Sequence, residues 1–162
     1  MLRLIREIAG YALGLVVFVG LIPWLMWLAS GRPDIMAATP AWLLVIGVVL
    51  MVAGLALSIW SIIHMRRVGK GNPFDTFGHE VAPRTQHLMT DGPYRFSRNP
   101  MLLGVFVLLI GVVAILHSWQ PVLIFVLFVA VMLRQVVSEE KRLAKDFGEE
   151  YAEYCKRTRR II

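Results

Sequence analysis

The stretch "MLLGVFVLLIGVVAILHSWQPVLIFVLFVAVMLRQVVSEE", Met101 to Glu140, decides the fold. It holds two apolar runs, 101–116 and 121–137, separated by only His117, Ser118, Trp119 and Gln120. The first run has no charged residue and the second has only Arg134. Each approaches the roughly 20 residues that carry a helix across a hydrocarbon core about 30 Å thick. A link of four residues forces two such helices into an antiparallel hairpin. The hairpin ends on an acidic pair, Glu139 and Glu140. At that depth an ionised side chain begins to cost free energy. Such a pair is either a salt-bridged helix end or a site for a cationic group.

Two more apolar runs precede the hairpin, 9–29 and 41–63. The first is longer than the 7–15 residue core of a signal peptide and reads as a retained span. Pro23 marks a kink in it, and Trp24 and Trp27 suit a membrane interface. Gly10 and Gly14 form a small-xxx-small pair that permits close packing, with Ala53 and Leu57 an imperfect second. Hydrophobic residues make up 57% of the chain and charged residues 17%, against about 25% charged in soluble domains. The fold class this predicts is all-α: a polytopic membrane helix bundle of about four spans, one domain over residues 1–162.

The net charge of +6 is distributed by side. Of the 17 Lys and Arg residues, all but Arg32 fall before the first span, between the second and third, or at the end of the fourth and after it. The positive-inside rule places both termini and the middle loop in the cytoplasm. Basic residues gathered at the ends of apolar runs fit a membrane and its lipids, not a nucleic acid, which would need them spread over a polar face. The one cysteine, Cys155, excludes an internal disulfide and reads as a small apolar filler on a helix. His64, His79, His87 and His117 lack ligand spacing, so no metal is expected. His79 or His87 is a candidate base, with plain hydrogen bonding the simpler role.

Two polar segments remain. The loop 64–100 is long enough to be functional. It carries turn chemistry in "GKGNPF" and "TDGPY", and Phe74, Phe77, Leu88, Met89, Tyr94 and Phe96 are apolar anchors for folding it back on the helices. The tail predicts a separate amphipathic helix over 139–158, in which Leu143, Phe147, Tyr151 and Tyr154 or Cys155 share one face. Taken alone, that face suits the inner leaflet, with Lys and Arg on anionic head groups. Gly148 is a point where this helix can break.

Together the segments resemble a known family. "GPYRFSRNPMLLG", Gly92 to Gly104, is similar to the first motif of the isoprenylcysteine carboxyl methyltransferases and their phospholipid-methyltransferase relatives. "EEKRLAKDFGEEYAEY", Glu139 to Tyr154, is similar to their second, one helical hairpin later. The resemblance covers roughly residues 69–160. Asn99 stands where many members have His, Leu102 where many have Tyr, and Gln135 where the prenylcysteine enzymes have Arg.

The resemblance implies S-adenosylmethionine as cofactor, bound without a Rossmann domain at the cytoplasmic mouth of the bundle. The implied cofactor residues are Gln86, His87, Leu88, Met89, Gly92, Tyr94, Asn99, Pro100, Met101, Leu102, Glu139 and Glu140. Gly92 and Gly104 would allow close backbone approach. Arg98, Glu140 and Arg134 are the catalytic candidates, and Arg134 and Gln135 the candidates for contact with substrate. The expected activity is methyl transfer to a small lipophilic or lipid-like amine, thiol or carboxylate. The competing readings are a nicotinamide-dependent membrane reductase, for which "RRVGKGNP" is a faint phosphate cluster, and a non-catalytic scaffold.

Overall fold

The computed structural model describes residues 13–69 and 88–162. Among these residues every regular element is helical. Helix α1 runs Leu13–Ala29, a short α2 spans Ile35–Ala38, α3 Ala41–His64, α4 Pro100–Leu116 and α5 Trp119–Arg157. The sites expected at Gln86, His87, His79, Phe74, Phe77 and Gly10 lie outside the described residues.

Proline shapes α1. Residues Val16–Leu21 form a π-turn directly before the α-helical stretch Ile22–Ala29, which has Pro23 in its first turn. A proline ring clashes with the carbonyl four residues earlier and supplies no N–H. The wider turn is the adjustment that accommodates it. The expected kink therefore takes the form of a π-turn. In the connection that follows, Asp34 caps α2 by accepting from Met36 N–H at 3.1 Å. The Thr39 hydroxyl donates to the Ile115 carbonyl at 2.8 Å, tying this connection to the end of α4.

Helix α4 is the centre of the bundle. Val105, Leu108, Leu109, Val112 and Leu116 are buried with Met26 of α1, and Phe125 and Phe128 of α5 pack against them. Helix α3 lies along α4 on a glycine seam. A Cβ on Gly104 would overlap the Gly54 carbonyl and Ser58, and one on Gly111 would overlap the Gly47 carbonyl. The role expected for Gly104, close approach to a ligand, is thus corrected: it seats one helix backbone against another. The outward faces of α3 and α5 are apolar, with Val45, Val49, Val52, Val126 and Leu127 exposed. Lipid, not water, accommodates such surfaces. Helices α3 and α5 are long and apolar enough to cross a membrane; α1 and α4 are shorter apolar helices.

Two expectations about the hairpin change. Its link is His117 and Ser118 alone: His117 takes a left-handed conformation (φ 31°) and Ser118 is the residue before α5. The fourth apolar run and the tail helix are one element of 39 residues. The tail from Glu139 does not start a new helix, because nothing in 134–147 breaks the 3.6-residue repeat. The break comes at Gly148, with φ 53° and ψ −122°.

Candidate functional site

The strip Leu88–Asn99 leads into α4 and lies against the end of α3. The His64 ring meets the Asp91 carboxylate at 2.9 Å, and this contact holds the Asp91 carboxyl below its usual value of 3.8. Gly92 has φ +54° and lies against the His64 ring, where any Cβ would collide. Met65, Met89 and Tyr94 are buried together beside it. These contacts clamp the 3-10 turn Gly92–Arg95 onto α3. Phe96, expected as an apolar anchor, is exposed at 71% and anchors nothing; the turn aims it outward.

The chain beyond Gly148 closes on the same strip. The Tyr154 hydroxyl donates to the Tyr94 carbonyl at 2.7 Å. Arg98 N–H donates to the Arg159 carbonyl at 2.9 Å, and the Asn99 side-chain amide donates to the Arg160 carbonyl at 3.0 Å. Ser97 joins the two, its hydroxyl 3.4 Å from the Arg160 carbonyl and accepting from Asn99 N–H at 3.1 Å. The side chain of Asn99, implied as a cofactor contact, is thereby engaged by the tail.

At the centre of this knot is Glu140, mostly buried. Its Oε2 accepts from Arg160 Nε at 2.9 Å and lies 2.7 Å from Arg160 Nη2. Its Oε1 lies 3.0 Å from Arg98 Nη2, off the hydrogen-bond direction. Arg98 Nη1 contacts the Cys155 sulfur, so Cys155 is a polar neighbour and not only a filler. Arg98 Nε, Glu140 Oε1 and the Tyr151 hydroxyl are buried, with no hydrogen-bond partner among the described residues. Burial pushes the Tyr151 hydroxyl well above its usual 10.0, and the Glu140 charge adds to this. Burial raises Tyr154 likewise, with the Arg98 charge opposing. Both remain hydrogen-bond donors at neutral pH.

These groups form the polar end of a cavity of about 500 Å³, within the 300–1,000 Å³ typical of small-molecule sites. Of the residues singled out in the sequence, Leu88, Met89, Tyr94, Arg98, Asn99, Pro100, Met101, Leu102, Gln135, Glu139 and Glu140 line it. Gly92 does not, because it backs His64. Arg134 does not, because it is on the exposed side of α5.

Two parts of the lining had no assigned role. Leu143, Phe147, Tyr151 and Tyr154 face the cavity, not a leaflet. The α1 residues Leu13, Gly14, Val17, Phe18 and Ile22 form an apolar wall opposite them. Met26 and Leu109, both fully buried in the bundle, are not among the cavity's lining residues. Among the described residues, no group of three His, Cys, Asp or Glu side chains could hold a metal ion.

Comparisons with known proteins bear on the family. A family model described as phospholipid methyltransferase matches residues 42–150, which takes in α3, α4 and most of α5. Over 86 residues the chain is 31% identical to the protein-S-isoprenylcysteine O-methyltransferase of Schizosaccharomyces pombe (strain 972 / ATCC 24843). That match covers 51% of this chain and 36% of the relative, so the chain spans well under two thirds of the relative's length. No solved structure matches the chain. Neither comparison favours the nicotinamide-reductase reading. With the family model covering well over half of its length, the chain belongs to the phospholipid methyltransferase family.

Proposed function

We propose that this protein is a four-span membrane enzyme that transfers a methyl group from S-adenosylmethionine to a small lipophilic acceptor at the cytoplasmic face. The observation that carries this is the cavity, apolar along its length and closed at one end by Glu139, Glu140, Arg98 and Tyr151. The cofactor has two cationic groups, a carboxylate and an adenine. The residues present fit each of them.

Glu139 suits the cations, since charge-assisted contacts are the strong ones. The Arg98 guanidinium and the Tyr151 side chain, which line the cavity, suit the carboxylate. The first turn of α4 adds N–H groups and the positive end of its dipole. Met65, Leu88 and Met89 offer an apolar shelf for the base. Val17, Phe18, Val105, Phe128 and Met132 are left for the apolar part of the acceptor. When bound, the cofactor supplies an electrophilic methyl group. The chain's own work is to align the acceptor with it and to exclude water. Gln135, which lines the cavity beside Glu139, is positioned to contact the acceptor; Arg134 faces away. The positive-inside distribution of charge supports a cytoplasmic mouth.

The test is titration of the purified protein in detergent with S-adenosylmethionine, followed by heat and by melting temperature. Ligand at 100 times Kd stabilises a folded protein by about 2.7 kcal/mol. A folded sample that shows neither heat nor a shift overturns the reading. Transfer of labelled methyl into a lipid extract then identifies the acceptor class.

A further inference from the structure

Three helices stop lining the cavity together. Helix α4 contributes Val105 and nothing further along it, α1 nothing beyond Ile22, and α5, running back from the hairpin, nothing before Phe128. Ile22 and Phe128 both pack against the buried cluster that contains Val105. One turn beyond Ile22 and Val105 stand Met26 and Leu109, fully buried in the same cluster. Of the three end residues, Phe128 has the largest side chain. Its ring meets Phe18 of α1 with centroids 5.8 Å apart and planes at 61°. It meets Phe106 of α4 at 6.0 Å and 90°, and Phe106 in turn meets Phe125 at 6.2 Å. Aromatic rings at such separations favour these edge-to-face arrangements. A ring with partners on two other helices cannot swing aside without breaking both contacts. Met132, one turn nearer the polar end, is an unbranched chain that can.

We propose that Phe128 is a specificity-determining residue: its ring is the end stop for the apolar chain of the acceptor and sets how long that chain can be. This rests on the reading of the cavity as a methyl-transfer site, and it narrows the acceptor to molecules with one apolar chain of bounded length. Gln135, beside the reacting group, and Phe128 stand about two turns apart on α5, roughly 10 Å at 1.5 Å per residue. An extended chain advances about 1.2 Å per bond, which leaves room for about eight bonds.

The experiment uses the full chain in detergent with homologous series of n-alkyl thiols, n-alkyl amines and n-alkyl carboxylic acids. Wild type is compared with Phe128→Ala, Phe128→Leu and Val126→Ala, the last on the exposed face of α5. Two readouts are taken: kcat/KM for methyl transfer from S-adenosylmethionine, and the melting-temperature shift that each homologue gives without cofactor. Each methylene that enters the apolar end raises kcat/KM about fourfold. In wild type the rise breaks off near about eight carbons, and the melting-temperature shift breaks at the same length. In Phe128→Ala the rise continues, so homologues past the wild-type break gain about tenfold or more over wild type. Phe128→Leu moves the break less far, and it carries the test alone if Phe128→Ala does not fold. Val126→Ala keeps the wild-type profile. A wild-type profile without a break, a break that the Phe128 variants leave in place, or no response to any homologue overturns the proposal. A break that moves in the melting-temperature series, in a protein that never binds S-adenosylmethionine, supports the stop and overturns the methyl-transfer reading.

Discussion

The Tyr154 hydroxyl donates to the Tyr94 carbonyl at 2.7 Å, joining residues sixty positions apart with both side chains buried. This bond fastens the end of α5 to the turn that leads into α4. Tyr154→Phe keeps the ring and strands the carbonyl. An orphaned buried acceptor costs about 1–3 kcal/mol. A lowered melting temperature and a weakened affinity for S-adenosylmethionine are the expected result; no change in either shows that the bond holds nothing. The same tyrosines set an alkaline limit. The folded values of Tyr151 and Tyr154 lie above the unfolded 10.0. Their contribution to stability is full below pH 10.0 and is lost as pH rises through the folded values, because the unfolded chain ionises first. Melting temperature measured from pH 8 upward should be flat and then fall near 10, and the fall should be shallower in Tyr154→Phe.

Gly148 turns the last stretch of α5 back toward the strip with φ 53° and ψ −122°, where only glycine is at ease. Nothing lies within 4 Å of where a Cβ would sit. Gly148→Ala thus tests backbone strain without a clash, and a loss of about 1–3 kcal/mol is expected. If the alanine protein melts with the wild type, the turn is not held in this conformation.

Gly104 is the contrasting case, since its Cβ would overlap backbone atoms of α3. Overpacking of this kind costs about 1–3 kcal/mol, and Gly104→Ala should lose that much while Gly20→Ala, with nothing within 4 Å, loses far less. Equal melting temperatures for the two would remove the seam as the contact that sets the α3–α4 distance.

Glu139→Gln separates a ligand role from a salt-bridge role. Contacts to charged groups are worth about 1.5–3 kcal/mol, so affinity for S-adenosylmethionine should fall tenfold or more at a nearly unchanged melting temperature. Loss of stability at unchanged affinity would instead assign Glu139 to the helix end.

The hairpin, the apolar spans and the acidic pair were legible because each has a local signature: a run length, a link length, a charge at a boundary. Most of the cavity's polar end was legible for a different reason, since the motif resemblance placed Arg98, Asn99, Glu139 and Glu140 in one neighbourhood. The rest depends on contacts that leave no local mark. Gly47, Gly54, Gly104 and Gly111 form a seam only when two helices meet in one register. The α1 wall is built from residues no different from their lipid-facing neighbours. Arg160 sits in a basic run whose charge pattern says membrane surface, and only its distance to Glu140 says otherwise. The sequence suggests a division of α5 before Glu139 because acidic residues after an apolar run mimic a helix start, although the periodicity continues through them.

From Trp119 to Phe147, α5 is unbroken, a rod of about 43 Å at 1.5 Å per residue. The hydrocarbon core is only about 30 Å thick. One stiff element therefore carries both the wall at Phe128 and the wall at Leu143 and Phe147. A rod longer than its bilayer answers a change in thickness by tilting. Tilt would move the acidic end of the cavity relative to the strip clamped to α3, so bilayer thickness is a variable to hold fixed when affinity is compared between preparations.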